Sequence, residues 1–284
     1  MNFIKRILQA WKERSKEKEI EGVVKDIKDI KIQGAKNVAR EALKAYRIKP
    51  TEEVKRKLLE ARPTEPMLGN SLKHFEEHGY KETVKHFEEA QQKINEEVLE
   101  LIEGNPVIFT HCHSSTVVEA LINAKKEGKE FSVYNTETRP LYQGRKTSKE
   151  LARQGIEVTT FTDDAARIAI KALQGTKKAD LVFLGSDALL EEGIINKIGS
   201  GMFSTIANEN DIPLYVLADS WKYTKHVDLE KRDFEEVWKN KPSGVKIENP
   251  AFEKIPSKHI KRVISDLGTY TLKTFVKKAK KELN

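Results

Sequence analysis

The sequence predicts an α/β protein: an all-helical N-terminal domain, residues 1–104, followed by a domain built on a parallel sheet, residues 105–284. Three observations carry that expectation. Up to about residue 103 the chain is dense in Lys, Glu, Ala and Leu and poor in Gly and β-branched clusters, a texture that favours helix. From Val107 onward, short apolar runs rich in β-branched residues alternate with stretches of helical length. That alternation is the pattern of a parallel sheet covered on both faces. Finally, polar or charged residues follow each apolar run, and open parallel sheets bind ligands beyond the carboxyl ends of their strands.

In the first domain Ile20–Tyr46 is one helix or a broken pair, with Gly34-Ala35 in its middle. Glu52–Ala61 is another. Arg62-Pro63-Thr64-Glu65-Pro66 ends it, because proline removes a donor and restricts the residue before it. Asn70–Glu77 and Lys81–Ile102 complete the set, and Gly104-Asn105-Pro106 marks the boundary. The strand candidates are Val107–Thr110, Phe131–Thr136, Glu157–Thr162, Leu181–Gly185 and Pro213–Ala218. Between them Thr116–Glu127, Thr147–Gln154, Asp163–Leu173 and Ser200–Asn210 have helical length. The tail from Asp228 to Asn284 is less regular. Its Trp238, Val245, Ile247, Phe252, Ile260, Val263 and Ile264 are expected to pack back onto the domain.

Charge and composition bound the function classes. The chain has 51 basic and 44 acidic residues, a net charge of +7. That balance suits an anionic partner but is too modest to choose among nucleic acid, a membrane surface and a phosphorylated small molecule. The run Lys277-Lys278-Ala279-Lys280-Lys281 has no interleaved aromatics and reads as a solvated helix turn, so no nucleic-acid partner is expected. A single cysteine excludes an intramolecular disulfide. No apolar run approaches the ~20 residues of a membrane span, and the N-terminus lacks the uninterrupted apolar region of a signal peptide. A cytoplasmic protein is expected. Phe3, Ile4, Ile7, Leu8 and Trp11 form an apolar helix face, expected to pack on its own domain or a partner chain rather than on a membrane.

The strand ends supply the candidate chemistry. They read His111-Cys112-His113-Ser114-Ser115, Glu137-Thr138-Arg139-Pro140, Asp163-Asp164, Ser186-Asp187 and Asp219-Ser220-Trp221-Lys222. Cys112 sits where a strand stops and a helix begins. Free backbone N–H groups and a positive dipole end lower a thiol's pKa and attract phosphate there. Three readings of Cys112 stay open on the residues alone. It is a reactive thiolate, a small buried hydrophobe, or a metal ligand with His111 and His113. The last lacks the spacing and partners of a zinc site. Asp187 is a reacting carboxyl group or an ordinary turn residue. Asn196-Lys197-Ile198-Gly199-Ser200-Gly201 resembles a glycine-containing phosphate loop before a helix, although it matches no nucleotide fingerprint.

Taken together, these stretches resemble the superfamily that joins sugar-1-phosphate isomerases to the alpha, beta and delta subunits of translation initiation factor two-B. The resemblance runs from Ile32-Gln33-Gly34-Ala35 through Arg62-Pro63-Thr64, Thr110-His111-Cys112-His113-Ser114 and Thr136-Glu137-Thr138-Arg139-Pro140. It continues through Gly185-Ser186-Asp187, Gly193-Ile194-Ile195-Asn196-Lys197-Ile198-Gly199 and Asn249-Pro250-Ala251-Phe252. It implies a helical domain, a Rossmann-like domain and assembly into homodimers or homohexamers. The isomerase branch carries a cysteine after the first strand and an aspartate after a Gly-small pair, here Cys112 and Asp187, and the initiation-factor subunits generally lack this pair. Within that branch the chain is most similar to the archaeal type of ribose-1,5-bisphosphate isomerase.

What the resemblance implies is an aldose–ketose isomerase without a cofactor or a metal. Cys112 would take a proton from C2 and a protonated Asp187 would donate one to oxygen. Gly34, Ala35, Arg62, Ser114, Ser115, Arg139, Asn196, Lys197 and Lys222 would hold a phosphorylated sugar. The isomerases usually carry arginine before Gly-Ala, where this chain has Gln33, and Lys36, one helical turn on, is the candidate replacement. Ser186 also stands where alanine is usual. Two alternatives accompany the reading. One is a regulatory subunit that contacts initiation factor two without catalysis. The other is an isomerase of another sugar 1-phosphate, such as methylthioribose 1-phosphate.

Overall fold

The computed structural model describes residues 3–229 and 231–283. Four helices come first: α1 (Phe3–Lys28), α2 (Ala35–Ile48), α3 (Glu52–Ala61) and α4 (Pro66–Leu99). The Ile20–Tyr46 stretch is thus a broken pair. Its break ends at Gly34, which caps α2 with φ 85°, a left-handed backbone that glycine adopts without a Cβ penalty. Thr51 caps α3, its hydroxyl accepting from the Val54 N–H at 3.4 Å. Proline opens α4 at its first position, and Gly79 (φ 82°, ψ 171°) breaks that helix, so the two segments read from the sequence are one long element with a kink. Along α1, Ile7 and Trp11 are exposed, and the side chains of Phe3, Ile4 and Leu8 lie outside the described residues.

The second half alternates as expected. In order come β1 (Val107–Thr110), α5 (Ser115–Lys126), β2 (Ser132–Thr136), α6 (Gln143–Arg153), β3 (Glu157–Phe161), α7 (Ala166–Lys171) and β4 (Leu181–Leu184). A hairpin of β5 (Ala188–Leu190) and β6 (Gly193–Lys197) leads to α8 (Ser200–Glu209) and β7 (Leu214–Leu217). After the short α9 (Glu235–Trp238) come β8 (Phe252–Pro256), β9 (Arg262–Ser265), β10 (Gly268–Tyr270) and α10 (Leu272–Leu283). Seven strands form the main sheet in the order β10-β9-β7-β4-β1-β2-β3, parallel except for the terminal β10. A small antiparallel sheet, β5-β6-β8, stands beside it.

All five expected strands are present. Five more were missed because each is only three to five residues long and antiparallel or at the sheet's edge side, where no crossover helix announces it. The tail corrects one expectation. Ile260, Val263 and Ile264 are buried, and Ile247 and Phe252 are half-buried, but Trp238 and Val245 are exposed. Residues 231–250 hold only the four-residue α9 as regular helix, and with no longer element to pack them Trp238 and Val245 stay at the surface.

One core fills the helical domain, with Val38, Ala42, Leu43, Leu58, Leu68, Leu72 and Phe87 as its centre. Trp221, from the turn after β7, inserts into it. In return Ile94 and Val98 of α4 pack with Val117 and Leu121 of α5 and with Phe183, Leu217 and Ile264 on the sheet. The two halves therefore share buried surface, and the cleft between them has walls on both sides.

Candidate active site

Strand order places the site. β1 lies between β2 and β4, and the chain continues from β1 to one side and from β4 to the other, which makes the β1/β4 boundary the point where such sheets open a crevice. His111–Ser114 follow β1, and Gly185–Asp187 follow β4. The two loops touch: a Cβ at Gly185 would stand 2.5 Å from the Ser114 hydroxyl, so only glycine lets them close. Ser114 caps α5, accepting from the Val117 N–H at 3.4 Å.

Cys112 has φ 67°, an uncommon left-handed conformation for a side-chain-bearing residue. Its backbone is fastened on both sides. The N–H donates to Thr138 Oγ1 at 3.1 Å, and the carbonyl accepts from Thr147 Oγ1 at 2.8 Å. Thr138 is in turn held by its own N–H, which donates to Asp163 Oδ1 at 2.9 Å. Asp163, one of the candidate carboxylates, therefore braces the Cys112 support rather than lining the cleft.

The cleft encloses about 880 Å³, counting space open to solvent. Cys112, Asp187, Gly34, Ala35, Arg62, Ser114, Ser115, Asn196, Lys197 and Lys222 all line it. The helical domain contributes the Gly34 turn and Arg62, and the sheet contributes the rest. Two predicted contacts lie elsewhere. Lys36 turns away into an ion pair with Glu119 on α5, 2.7 Å to each carboxylate oxygen. Arg139 is exposed, with its guanidinium bonded to the Tyr142 hydroxyl and 5.0 Å from that ring's centroid. Gln33 does line the cleft, but its amide donates back to the Ile30 carbonyl at 2.9 Å.

Burial decides the protonation states. It pushes the Cys112 thiol up to about 12, opposed by the charge of Lys197 and by the His113 N–H on the sulfur, and reinforced by Asp187 and Asp163. The expected lowering by a helix N-terminus does not occur. Helix α5 starts three residues later, and Ser114 already caps it. Burial also pushes His111 and His113 down to about 4, so both imidazoles are neutral. His111 Nε2 lies 2.9 Å from the Ile198 carbonyl, which can only accept, so Nε2 carries the hydrogen and Nδ1 accepts from Thr136 Oγ1 at 2.6 Å. Thr147 donates to the Cys112 carbonyl, so His113 Nδ1 donates to Thr147 at 3.0 Å. Neither histidine is placed as a ligand. Among the described residues no group of three or more His, Cys, Asp or Glu side chains could hold a metal ion.

The cations Arg62, Lys197, Lys222 and Arg232 also line the cleft, against the acidic Glu65 and Asp187. Lys222 is buried and donates to the Ser186 carbonyl at 2.6 Å, next to Asp187. Arg62 lies 3.8 Å from Glu65 Oε1, a buried carboxylate at the start of α4. Arg232, from the stretch before α9, has its Nε donating to Glu236 Oε1 at 3.1 Å. The site can therefore take a small polyanion and present one thiol and one carboxyl group to it.

The glycine-containing phosphate loop needs correction. The carboxylate of Glu253 on β8 already occupies the N-terminus of α8, accepting from Gly199 N at 2.6 Å and Gly201 N at 3.0 Å. A phosphate cannot take the same amides. Glu65, Gln143 and Arg232 also line the cleft and were not foreseen. Gln143 opens α6, four residues before the expected start, and Arg232 lies in the irregular tail. Glu65 reads as part of a proline-bounded linker, and no periodicity marks any of the three.

Comparison with known proteins agrees with this architecture. The sequence profile of the initiation factor 2 subunit family matches residues 2–272. The chain belongs to that family. It is 34% identical over 279 residues to the ribose 1,5-bisphosphate isomerase of Methanocaldococcus jannaschii, covering 85% of this chain and 88% of that protein. It is 30% identical over 271 residues to a putative translation initiation factor eIF-2B subunit 2-like protein of Pyrococcus furiosus, covering 87% and 94%. Among solved structures, the translation initiation factor eIF-2B of Pyrococcus horikoshii OT3 superposes with a TM-score of 0.77 at 26% identity, covering 89% of this chain and 96% of that one. Both branches of the family are thus similar to the chain over most of its length. No helix of the described residues is long and apolar enough to cross a membrane.

Proposed function

We propose that the chain is a cytoplasmic aldose–ketose isomerase that converts ribose 1,5-bisphosphate to ribulose 1,5-bisphosphate. The observation that carries this reading is the convergence of Cys112 and Asp187, from the ends of two adjacent strands, in one cleft lined by Arg62, Lys197 and Lys222. A relative 34% identical bears the name of that enzyme.

The chemistry follows from what the groups can exchange. Asp187 donates its proton to the ring oxygen as the bond from that oxygen to C1 breaks, leaving C1 electron-poor with its phosphate attached. The Cys112 thiolate takes the proton from C2, and that C–H electron pair becomes the C1–C2 double bond. Cys112 then returns a proton to C1, while the C2 hydroxyl gives its proton to Asp187 and becomes the ketone. Both groups end as they began, and no cofactor enters the balance. Arg62 and Lys222 suit the phosphates as charge-assisted donors, and the amides of the Gly34-Ala35 and Ser114-Ser115 turns suit their oxygens. Lys36 and Arg139, which lie outside the cleft, have no part in this assignment.

Incubation of the purified chain with ribose 1,5-bisphosphate should yield ribulose 1,5-bisphosphate; no turnover at millimolar substrate would sink the proposal. Gln33 supports a second reading. Its amide is turned back to its own loop and offers no cation at the Gly34 turn, and one relative is named as an initiation-factor subunit. Capture of initiation factor two by an inactive chain would favour a binding subunit. Turnover of methylthioribose 1-phosphate in place of the bisphosphate would instead change the substrate. Homo-oligomeric assembly is part of the first reading, and light scattering on the purified chain measures it.

A further inference from the structure

Helix α8 starts at Ser200, three residues after the cleft-lining Lys197, and the amides of a helix N-terminus are where an anionic ligand would be sought. The protein fills that place itself. Glu253 comes from the neighbouring strand β8, and one of its carboxylate oxygens accepts from both Gly199 N and Gly201 N, at 2.6 and 3.0 Å. A Cβ at Gly201 would stand 2.4 Å from the other oxygen, so the carboxylate fits with no room to spare.

The same turn is fastened from three more directions. Ser200 Oγ donates to the Lys197 carbonyl at 2.6 Å and accepts from Asn196 Nδ2 at 2.9 Å. His111, the residue before Cys112, donates to the Ile198 carbonyl at 2.9 Å. His111 also lies against Gly199, where a Cβ would stand 3.1 Å from its Nε2. Gly199 itself has φ 101°, which a side chain would not tolerate. The Asn196–Gly201 turn and the Cys112 loop are therefore one locked unit, and Lys197 is the cation this unit presents to the cleft beside Cys112 and Asn196.

We infer that Glu253 is a positioning residue: by supplying an internal anion to the α8 N-terminus it fixes the Asn196–Gly199 turn and holds the Lys197 ammonium against Cys112. Lys197 is the cation whose charge acts on that thiol, and a flexible lysine exerts a defined field only when its backbone is fixed. The arrangement also excludes substrate phosphate from the α8 amides, so that Lys197 is not drawn away by a phosphate bound beside it. The role rests on Cys112 being the reacting thiol, but its test reads the thiol directly and needs no sugar phosphate.

Cys112 is the only cysteine, so alkylation of the intact chain reports one group. Two reagents separate charge from access: neutral iodoacetamide and anionic iodoacetate, at pH 8.5. Lys197→Met should slow both by several-fold, because the thiolate fraction falls, and should slow iodoacetate at least threefold more, because the local cation is gone. Glu253→Ala should reproduce that pattern, whereas Glu253→Gln, which keeps an acceptor oxygen, should stay within about twofold of the parent. If Glu253→Ala fails to fold by circular dichroism, Gly201→Ala, whose methyl displaces the carboxylate, takes its place with the same expectation. Parent-like rates with both reagents in Glu253→Ala or Gly201→Ala overturn the inference. An equal change with both reagents in those variants also overturns it, since that reports altered access rather than a displaced charge. An unchanged Lys197→Met overturns it from the other end. None of these outcomes depends on turnover, so an inactive chain would not be confused with a failed inference.

Discussion

At the residue scale, the proposed chemistry depends on a thiol that burial holds protonated at neutral pH. Its pKa is pushed up to about 12, so the thiolate fraction rises about tenfold per pH unit across the neutral and alkaline range. If Cys112 is the base, kcat/KM with ribose 1,5-bisphosphate should climb with pH and show no plateau below pH 10. Cys112→Ser should lower kcat by about 10³ or more, equivalent to roughly 4 kcal/mol of barrier, while the melting temperature stays near that of the parent. A near-parental rate would remove the thiol from the mechanism. Cys112 and Asp187 were candidates because residues after parallel strands face the crevice, and the family resemblance singled them out; Arg139 and Asp163 also follow strands yet do not line the cleft. Lys36 was misleading for a physical reason. Its place one turn from Gly34 is right, but a long flexible side chain goes to whichever partner packing offers, here Glu119 on α5.

At the element scale, the short turn after β7 joins the two halves of the molecule. Asp219 accepts from Trp221 N at 2.8 Å and meets His86 of α4 at 3.1 Å. Asp266 accepts from Ser220 N and Ser220 Oγ, both at 2.7 Å. Lys222, the next residue after Trp221, then enters the cleft. Burial and the neighbouring Asp219 push Asp266 up to about 6 from an ordinary 3.8. Against the desolvation that opposes its charge, the bond to Asp219 raises His86. Both folded values lie above the unfolded ones, so the stability they add is present at low pH. It is lost as pH rises through about 6 for Asp266, and through the raised value for His86. Asp266→Asn removes a group whose stabilisation grows as pH falls from about 6 towards 4, so it should steepen the fall in melting temperature over that range; an unaltered slope would show that Asp266 does not contribute to it. Nothing in the sequence foretold this contact. Asp219 was read as a cleft residue, and the α4 histidines have no spacing that singles out His86.

At the scale of the whole molecule, the opposite linkage sets the acid limit. His111 and His113 are pushed from 6.5 to about 4. Each therefore costs stability as pH falls from 6.5 towards 4, on the order of 3 kcal/mol apiece at the lower end. Asp266 and His86 oppose them, but burial also lowers His74 and His259, so the lowered histidines leave a net loss. The chain is expected to be most stable near neutrality and to lose melting temperature steeply below pH 6. His113→Gln should soften that fall without moving the neutral value by more than a few degrees. The architecture was readable at this scale because strand–helix alternation and helical composition persist over long stretches. The short antiparallel sheet and the Glu253 plug were not, since each depends on segments far apart in the chain meeting through only a few residues.

The insertion of Trp221 into the helical core also gives the molecule an optical gauge. Of the three tryptophans, Trp11 is 69% exposed and Trp238 is 49% exposed, whereas Trp221 is 2% exposed and stacks on His86 with ring centroids 3.7 Å apart. With Trp11 and Trp238 replaced by phenylalanine, the remaining fluorescence should be blue-shifted and partly quenched by the imidazole beside it. Lys222 is the residue after Trp221 and lines the cleft, so a change in emission on adding ribose 1,5-bisphosphate should report substrate reaching Lys222, and no change on binding would show that the indole does not sense the cleft.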